Sequence, residues 1–325
     1  MNKELKLICM NDVQPEEVRW LWYPYIPFGK LTIIQGDPGE GKTLFALAII
    51  AAVTKGEALP EREPGEPMNV IYQTAEDGLA DTIRPRLDRL GADCSRVMVI
   101  DESQKELTLR DERIQQAIRQ TGAKLIVLDP LQAYLGADVD MHRANEVRPV
   151  MKRLGLVAEE TGCAVVLIRH INKLQGQKSV HRGLGSIDFQ AAARSVLLVG
   201  RAKEEPELRI VVPDKSSLAP EGASIAFSLD ARRGLQWKGY CDCGADQLLG
   251  GVNRVQTKTM LAEEELQKLL IESVSAQTVA ARILSLGISE RTLMIAKKNL
   301  GIVSERKNGQ WFWKLPKEGG KDVRM

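Results

Sequence analysis

Leu31-Thr32-Ile33-Ile34-Gln35-Gly36-Asp37-Pro38-Gly39-Glu40-Gly41-Lys42-Thr43 is the stretch whose reading decides the fold. Leu31 to Gln35 is a β-rich apolar run, Gly36 to Gly41 is a glycine-rich turn, and Lys42 to Val53 suits a helix. A G-x-x-x-x-G-K-T pattern carries a mechanism when it sits between a strand and a helix, as here. The glycines let successive backbone N–H groups turn inward around phosphate oxygens, and the helix start adds its positive dipole end. Gly36, Asp37, Pro38, Gly39, Glu40, Gly41, Lys42 and Thr43 therefore form the expected phosphate cradle. Lys42 should reach the β and γ phosphates of a nucleotide, and Thr43 should offer its hydroxyl to Mg²⁺.

Working outward, β-rich runs alternate with helical ones: Asn69 to Gln73, a helix over Asp81 to Leu90, then Val97 to Ile100 and Lys124 to Asp129. Such alternation predicts an α/β domain with a mostly parallel sheet. Leu125 to Leu128 is continuously apolar and reads as a strand buried on both faces. Further strands are expected at Cys163 to Ile168, Ser195 to Val199, Leu208 to Val212 and Ser224 to Phe227. Short polar turns join the last three, so the sheet should end in antiparallel hairpins. Lys238 to Thr257, rich in Gly and polar residues, reads as a linker.

Beyond it come three helical patterns, Thr259 to Ser273, Ala276 to Leu286 and Glu290 to Leu300, the last capped by Ser289 and closed by Gly301. A strand-turn-strand follows around Lys307-Asn308-Gly309. This is the element order of a winged helix-turn-helix. The expected organisation is an N-terminal extension (1–17), a main domain (18–238), a linker (239–257), a small domain (258–316) and a polar tail (317–325).

With 44% hydrophobic and 27% charged residues, the chain has the composition of a folded globular protein. Its longest apolar run, Leu44 to Val53, is too short to span a bilayer, and no signal-peptide pattern opens the sequence, so a cytoplasmic location without membrane contact is expected. Cys9, Cys94, Cys163, Cys241 and Cys243 are odd in number and lack a C-x-x-C pair, which argues for reduced thiols and against a four-thiolate zinc site. Net charge is +2, but residues 258–325 carry 12 Lys and Arg against 8 Asp and Glu, so the basic excess belongs to the tail.

Two carboxylates are candidates for work on the phosphate. Asp129 ends a buried strand and would emerge beside the cradle as a second partner of Mg²⁺; the alternative is an ordinary strand-end turn before Pro130. Glu76 lies just past the first strand after the cradle helix, where it could orient water against a γ-phosphate. Asp77 is its competitor.

At this point the residues resemble a known group, the RecA-like P-loop ATPases of the RepA type, hexameric replicative helicases of plasmids, phages and other mobile elements. The carriers are Trp20-Leu21-Trp22, Ile26-Pro27-Phe28-Gly29-Lys30, Glu76-Asp77, Leu128-Asp129-Pro130-Leu131, Leu167 to Lys173, Arg182 to Ser186 and Ala193 to Leu197. The resemblance implies a RecA-like core that hydrolyses ATP with Mg²⁺ at the subunit interfaces of a homo-oligomer, most simply a hexamer. It implies His170 as γ-phosphate sensor, the preceding position being Arg169 where the family often has a second histidine. Arg194 matches the RepA-type arginine finger, whereas Arg201 matches the position used by DnaB-type helicases. It also implies single-stranded DNA as a partner of the 171–186 loop through Lys173, Lys178 and Arg182; a surface loop is the plainer alternative.

In the third tail helix Arg291 and Lys298 fall on one face, and Arg306 and Lys307 sit at the hairpin tip, an arrangement suited to duplex DNA and equally to docking a replication protein. Trp311 and Trp313 alternate along one strand and are expected to pack together on the helices. The function these readings favour is an ATP-driven, DNA-associated motor of the helicase type. The alternative is a DNA-binding regulator of replication or transcription that ATP switches without unwinding.

Overall fold

The computed structural model describes residues 7–171, 187–202, 205–230, 234–252, 257–307 and 309–316. In chain order the main body comprises a short hairpin of β1 (Trp20–Trp22) and β2 (Ile26–Pro27), then β3 (Leu31–Gly36), α1 (Lys42–Lys55), β4 (Val70–Thr74), α2 (Arg84–Leu90), β5 (Val97–Met98), α3 (Glu112–Thr121), β6 (Leu125–Asp129), α4 (Ala144–Thr161) and β7 (Ala164–His170). It continues with α5 (Asp188–Ala192), β8 (Ser195–Arg201), β9 (Leu208–Ser216), β10 (Ser224–Asp230), β11 (Gly234–Cys241) and α6 (Ala245–Gly250).

These strands form one nine-stranded sheet in the order β11-β10-β9-β8-β3-β7-β6-β4-β5. β8, β3, β7, β6, β4 and β5 run parallel, and β9, β10 and β11 add an antiparallel meander. The central parallel strands β3, β7, β6 and β4 are buried on both faces, which is why they read as largely apolar runs. Alternate residues feed two cores: Ile34, Tyr72, Leu125 and Val127 face α1 and α2, while Ile33, Ile71, Ile126 and Leu128 face α3 and α4. α1 is buried on most sides, so its sequence is apolar nearly throughout.

The pairing of Gly36 with His170 and of Thr74 with Asp129 brings the carboxyl ends of β3, β7, β4 and β6 to one edge. That edge is where a doubly wound sheet leaves room for a ligand.

Two expectations are corrected here. The segment expected as a linker, 239–257, carries the end of β11 and all of α6; Cys241, Cys243 and Leu248 are buried against β8 and β9. One of its glycines serves close packing: a Cβ on Gly239 would lie 2.2 Å from Thr259 Oγ1. The strand expected over Val97 to Ile100 is confined to β5, because Gln73 takes the Ile100 backbone by its side chain instead of by a ladder bond.

The remaining elements are α7 (Lys258–Leu269), β12 (Val274–Ser275), α8 (Ala276–Ser285), α9 (Glu290–Asn299), β13 (Val303–Lys307) and β14 (Gln310–Lys314). They have their own core of Ala262, Leu266, Val279, Ile283, Leu293 and Trp313 and a sheet in the order β12-β14-β13. Thr257, Ser275 and Ser289 cap the three helices by accepting from the third residue on. Trp311 does not share the packing of Trp313: it is 54% exposed against 7%. β12 pairs with β14 only as far as Phe312, so the hairpin outruns its support.

Candidate active site at the carboxyl edge of the sheet

The turn after β3 closes on itself around Lys42. Gly39 and Gly41 take φ of +80° and +90°, a region that side chains with a Cβ rarely adopt. Gly36 is required for another reason: a Cβ there would meet the Val199 carbonyl oxygen at 2.2 Å. Lys42 is 4% exposed and donates to the carbonyls of Gly36 and Asp37 at 2.9 and 2.8 Å. Burial lowers its pKa, opposed by Asp129, Asp37, Glu40 and Glu76. A buried ammonium ringed by carboxylates and carbonyls at a helix N-terminus is poised to exchange those carbonyls for phosphate oxygens.

Asp129 is the second fixed point. Its Oδ2 accepts from Thr43 Oγ1 at 2.7 Å and from Tyr72 Oη at 3.1 Å. Burial raises its pKa, the two hydroxyls pull it back, and Glu76 raises it further. Thr43 and Asp129 together offer hard oxygen donors, the set that Mg²⁺-like ions prefer. These residues therefore fit a divalent cation held beside the phosphate cradle.

Glu76, just past β4, and His170, at the end of β7, meet over the end of β6, which lies between those strands; Glu76 Oε1 is 3.9 Å from His170 Nε2. Burial lowers the His170 pKa, Lys42 lowers it again, and Glu76 and Asp129 oppose them, which favours the neutral ring. Its Nδ1 is buried with no hydrogen-bond partner. Asp77, the competing carboxylate, accepts from Arg86 at 2.7 Å.

The two candidate fingers lie at opposite ends of β8. Arg201, one of the two candidate fingers, lies against its own loop: Nη2 donates to the Gly39 carbonyl at 3.1 Å and Nε lies 3.6 Å from Glu40 Oε2. Sheet order explains this, since β8 is the direct neighbour of β3 and runs parallel to it. Arg194 sits at the far edge, exposed, its backbone N–H on the Leu31 carbonyl at 2.9 Å. It lines a cavity of about 400 Å³ with Lys30, Arg148, Lys152, Glu159 and Asp188.

Of the residues expected on DNA, Lys173, Lys178 and Arg182 lie outside the described residues. Arg291 is exposed and lies 3.6 Å from the exposed Glu63 of the main body. Lys298 and Arg306 are exposed; Lys307, also exposed, lies 3.4 Å from Glu305. Tyr72 is the site residue that sequence reasoning missed. The available signal was a hydroxyl inside an otherwise apolar buried strand, where a buried phenol seeks a partner.

Among the described residues no helix is long and apolar enough to cross a membrane, and no cluster of metal-ligating side chains stands apart from this site. The AAA domain family model matches residues 7–176. DNA repair protein RadA of Bacillus subtilis (strain 168) is 26% identical over 147 residues, 45% of this chain and 28% of that protein. DNA repair protein RadA of Brucella abortus (strain 2308) is 30% identical over 154 residues, 45% and 29%. The chain thus spans less than a third of the length of the relatives it matches. Among solved structures, a KaiC-like protein from Pyrococcus horikoshii OT3 aligns with TM-score 0.47 and 18% identity over 65% of this chain and 90% of that one. The RadB recombinase aligns with TM-score 0.46 and 18% identity over 65% and 91%. With the phosphate cradle, the cation donors and the strand-end carboxylate on one sheet edge, and a family match over more than half its length, the chain belongs to the AAA domain family.

Proposed function

We propose that this protein hydrolyses ATP with Mg²⁺ and uses the cycle to act on DNA as a motor of the RepA-like helicase type. The observation that carries the reading is the 2.7 Å bond between Thr43 and Asp129 behind a glycine-lined loop, with Glu76 and His170 at the same edge of the sheet, on either side of Asp129. Mg²⁺ would neutralise charge on the β- and γ-phosphate oxygens. The P-loop amides and Lys42 hold the phosphates, and Thr43 with Asp129 hold the ion. Glu76 orients the attacking water and accepts its proton. His170, as a neutral ring beside Glu76, senses whether a γ-phosphate is present and passes that state to the chain beyond β7.

Arg194, exposed at the opposite edge, serves the nucleotide of a neighbouring copy, so the site is complete only in a homo-oligomer, in the simplest case a hexamer. Single-stranded DNA is the partner of the 171–186 segment. The α7–β14 unit acts as a winged helix, offering Lys298, Arg306 and the exposed Trp311 to duplex DNA or to a replication protein. The RadA relatives, named as DNA repair proteins, support association with DNA.

The test is steady-state ATP hydrolysis with and without single-stranded DNA, with Glu76→Gln as control. Stimulation by single strands, lost by about 10²-fold or more in the variant, is the expected result. Hydrolysis indifferent to DNA would replace the motor with an ATP-switched DNA-binding regulator.

A further inference from the structure

Thr43 and Tyr72 converge on the same oxygen of Asp129 from different elements, one from the start of α1 and the other from the middle of β4. Tyr72 is fully buried, and β4 pairs with β6 so that Tyr72 lies diagonal to Asp129 on the α1 side of the sheet. An ionised carboxylate can only accept, so the buried phenol is the donor in this bond. Thr43 differs in kind: its oxygen is also the atom that would turn lone pairs toward a cation. A carboxylate held by Thr43 alone would have one anchor, and that anchor moves when the ion arrives. The phenol supplies a second anchor that takes no part in coordination.

Strand β4 is clamped on its other face as well. Gln73 accepts from the Ile100 N–H at 3.0 Å and donates to the Ile100 carbonyl at 3.1 Å and to Glu102. Beyond this double clamp the chain runs through Thr74 and Ala75, whose N–H donates to the Asp129 carbonyl at 3.1 Å, directly into Glu76. One strand thus fixes the carboxylate on the cation side and carries the carboxylate on the water side.

We propose that Tyr72 is a positioning residue for the divalent cation: its hydroxyl sets the orientation of the Asp129 carboxylate and ties it to the strand that bears Glu76. The role rests on the ATPase reading above, and it is distinct from filling the core, which a phenylalanine would do equally well. Partners of a metal-ligand side chain typically tune affinity by one to two orders of magnitude.

The experiment uses the full chain, ADP and Mn²⁺ as the probe, with free Mn²⁺ followed by electron paramagnetic resonance and ADP binding measured separately in EDTA. Tyr72→Phe is expected to weaken Mn²⁺ binding to the ADP-bound protein about tenfold while ADP binding in EDTA stays within about twofold. In Tyr72→Phe/Asp129→Asn the loss should be no greater than in Asp129→Asn alone, because the phenol acts only through that carboxylate. Wild-type Mn²⁺ affinity in Tyr72→Phe, a loss of equal size in EDTA, or additive losses in the double variant would each overturn the role. Absence of ADP binding by the wild-type chain would overturn the ATPase reading along with it, whereas an unchanged Mn²⁺ affinity with ADP binding intact removes Tyr72 alone.

Discussion

The carboxyl edge of the large sheet and the small α7–β14 unit treat charge in opposite ways. At the sheet edge Lys42 and Asp129 are 4% and 6% exposed, and each is held by two short hydrogen bonds. In the small unit Lys298, Arg306 and Lys307 stand in solvent, and the buried residues named above are apolar. Burying a charge is costly unless the surroundings replace its water, so a fold does it where a fixed field has work to do on a ligand. Exposed cations on a small scaffold suit a partner met at the surface, where screening by salt limits each contact. In the proposed function, the large sheet would be organised around an interior reaction and the small unit around a surface encounter.

The comparison breaks most visibly at Lys42. Lys42→Ala should lower ATP hydrolysis by about 10²- to 10³-fold while the α7–β14 unit keeps its helical signal, which turnover assays and circular dichroism would check together. Loss of both would mean that the two regions fold as one.

A smaller effect is expected from the tryptophan pair. Trp313 fills the small core and carries Lys297 over its ring at 4.1 Å, so Trp313→Ala should destabilise that unit by about 3 kcal/mol or more. Trp311→Ala should cost under about 0.5 kcal/mol. Chemical denaturation followed by tryptophan fluorescence separates them, and equal losses would return Trp311 to the core.

The smallest effect concerns Asp129. Its folded pKa is raised, chiefly by burial, so its favourable contribution is present below the unfolded carboxylate pKa and is lost as pH rises through the folded value. At neutral pH the buried charge is a net cost. Asp129→Asn should therefore abolish hydrolysis and yet raise the melting temperature of the ligand-free chain by about 2 °C at pH 7.5, with the gain shrinking as the buffer is made acidic. A lower melting temperature at pH 7.5 would mean that the Thr43 and Tyr72 bonds outweigh the burial.

The parts of the site that follow one another in sequence were legible there. Gly36 to Thr43 needs only its own strand and helix to become a cradle, and Asp129 announces itself as the single acid ending an apolar run. Glu76 could be named there with Asp77 as its competitor; that Arg86, nine residues on, holds Asp77 is visible only in the structure. Tyr72 and Arg201 could not be placed without the sheet. Tyr72 acquires its meaning from the β4 and β6 register, and Arg201 from the adjacency of β8 to β3. The same holds within 239–257 for Gly239, which looks like part of a flexible connection and is instead a point where the backbone comes close to a side chain, that of Thr259. Composition reports how many glycines there are, and only packing reports what presses against them.

Strand β8 touches the phosphate loop at one end, through Gly36 against Val199 and Arg201 on Gly39, and exposes Arg194 at the other. In mechanical terms it is a push rod roughly 20 Å long at about 3.3 Å per residue. Its hydrogen bonds to β3 and β9 keep it from buckling. A displacement of the loop would be felt along the strand toward its opposite end. In a ring of such chains, each would announce its own nucleotide to the next through a single strand, with no hinge between message and receiver.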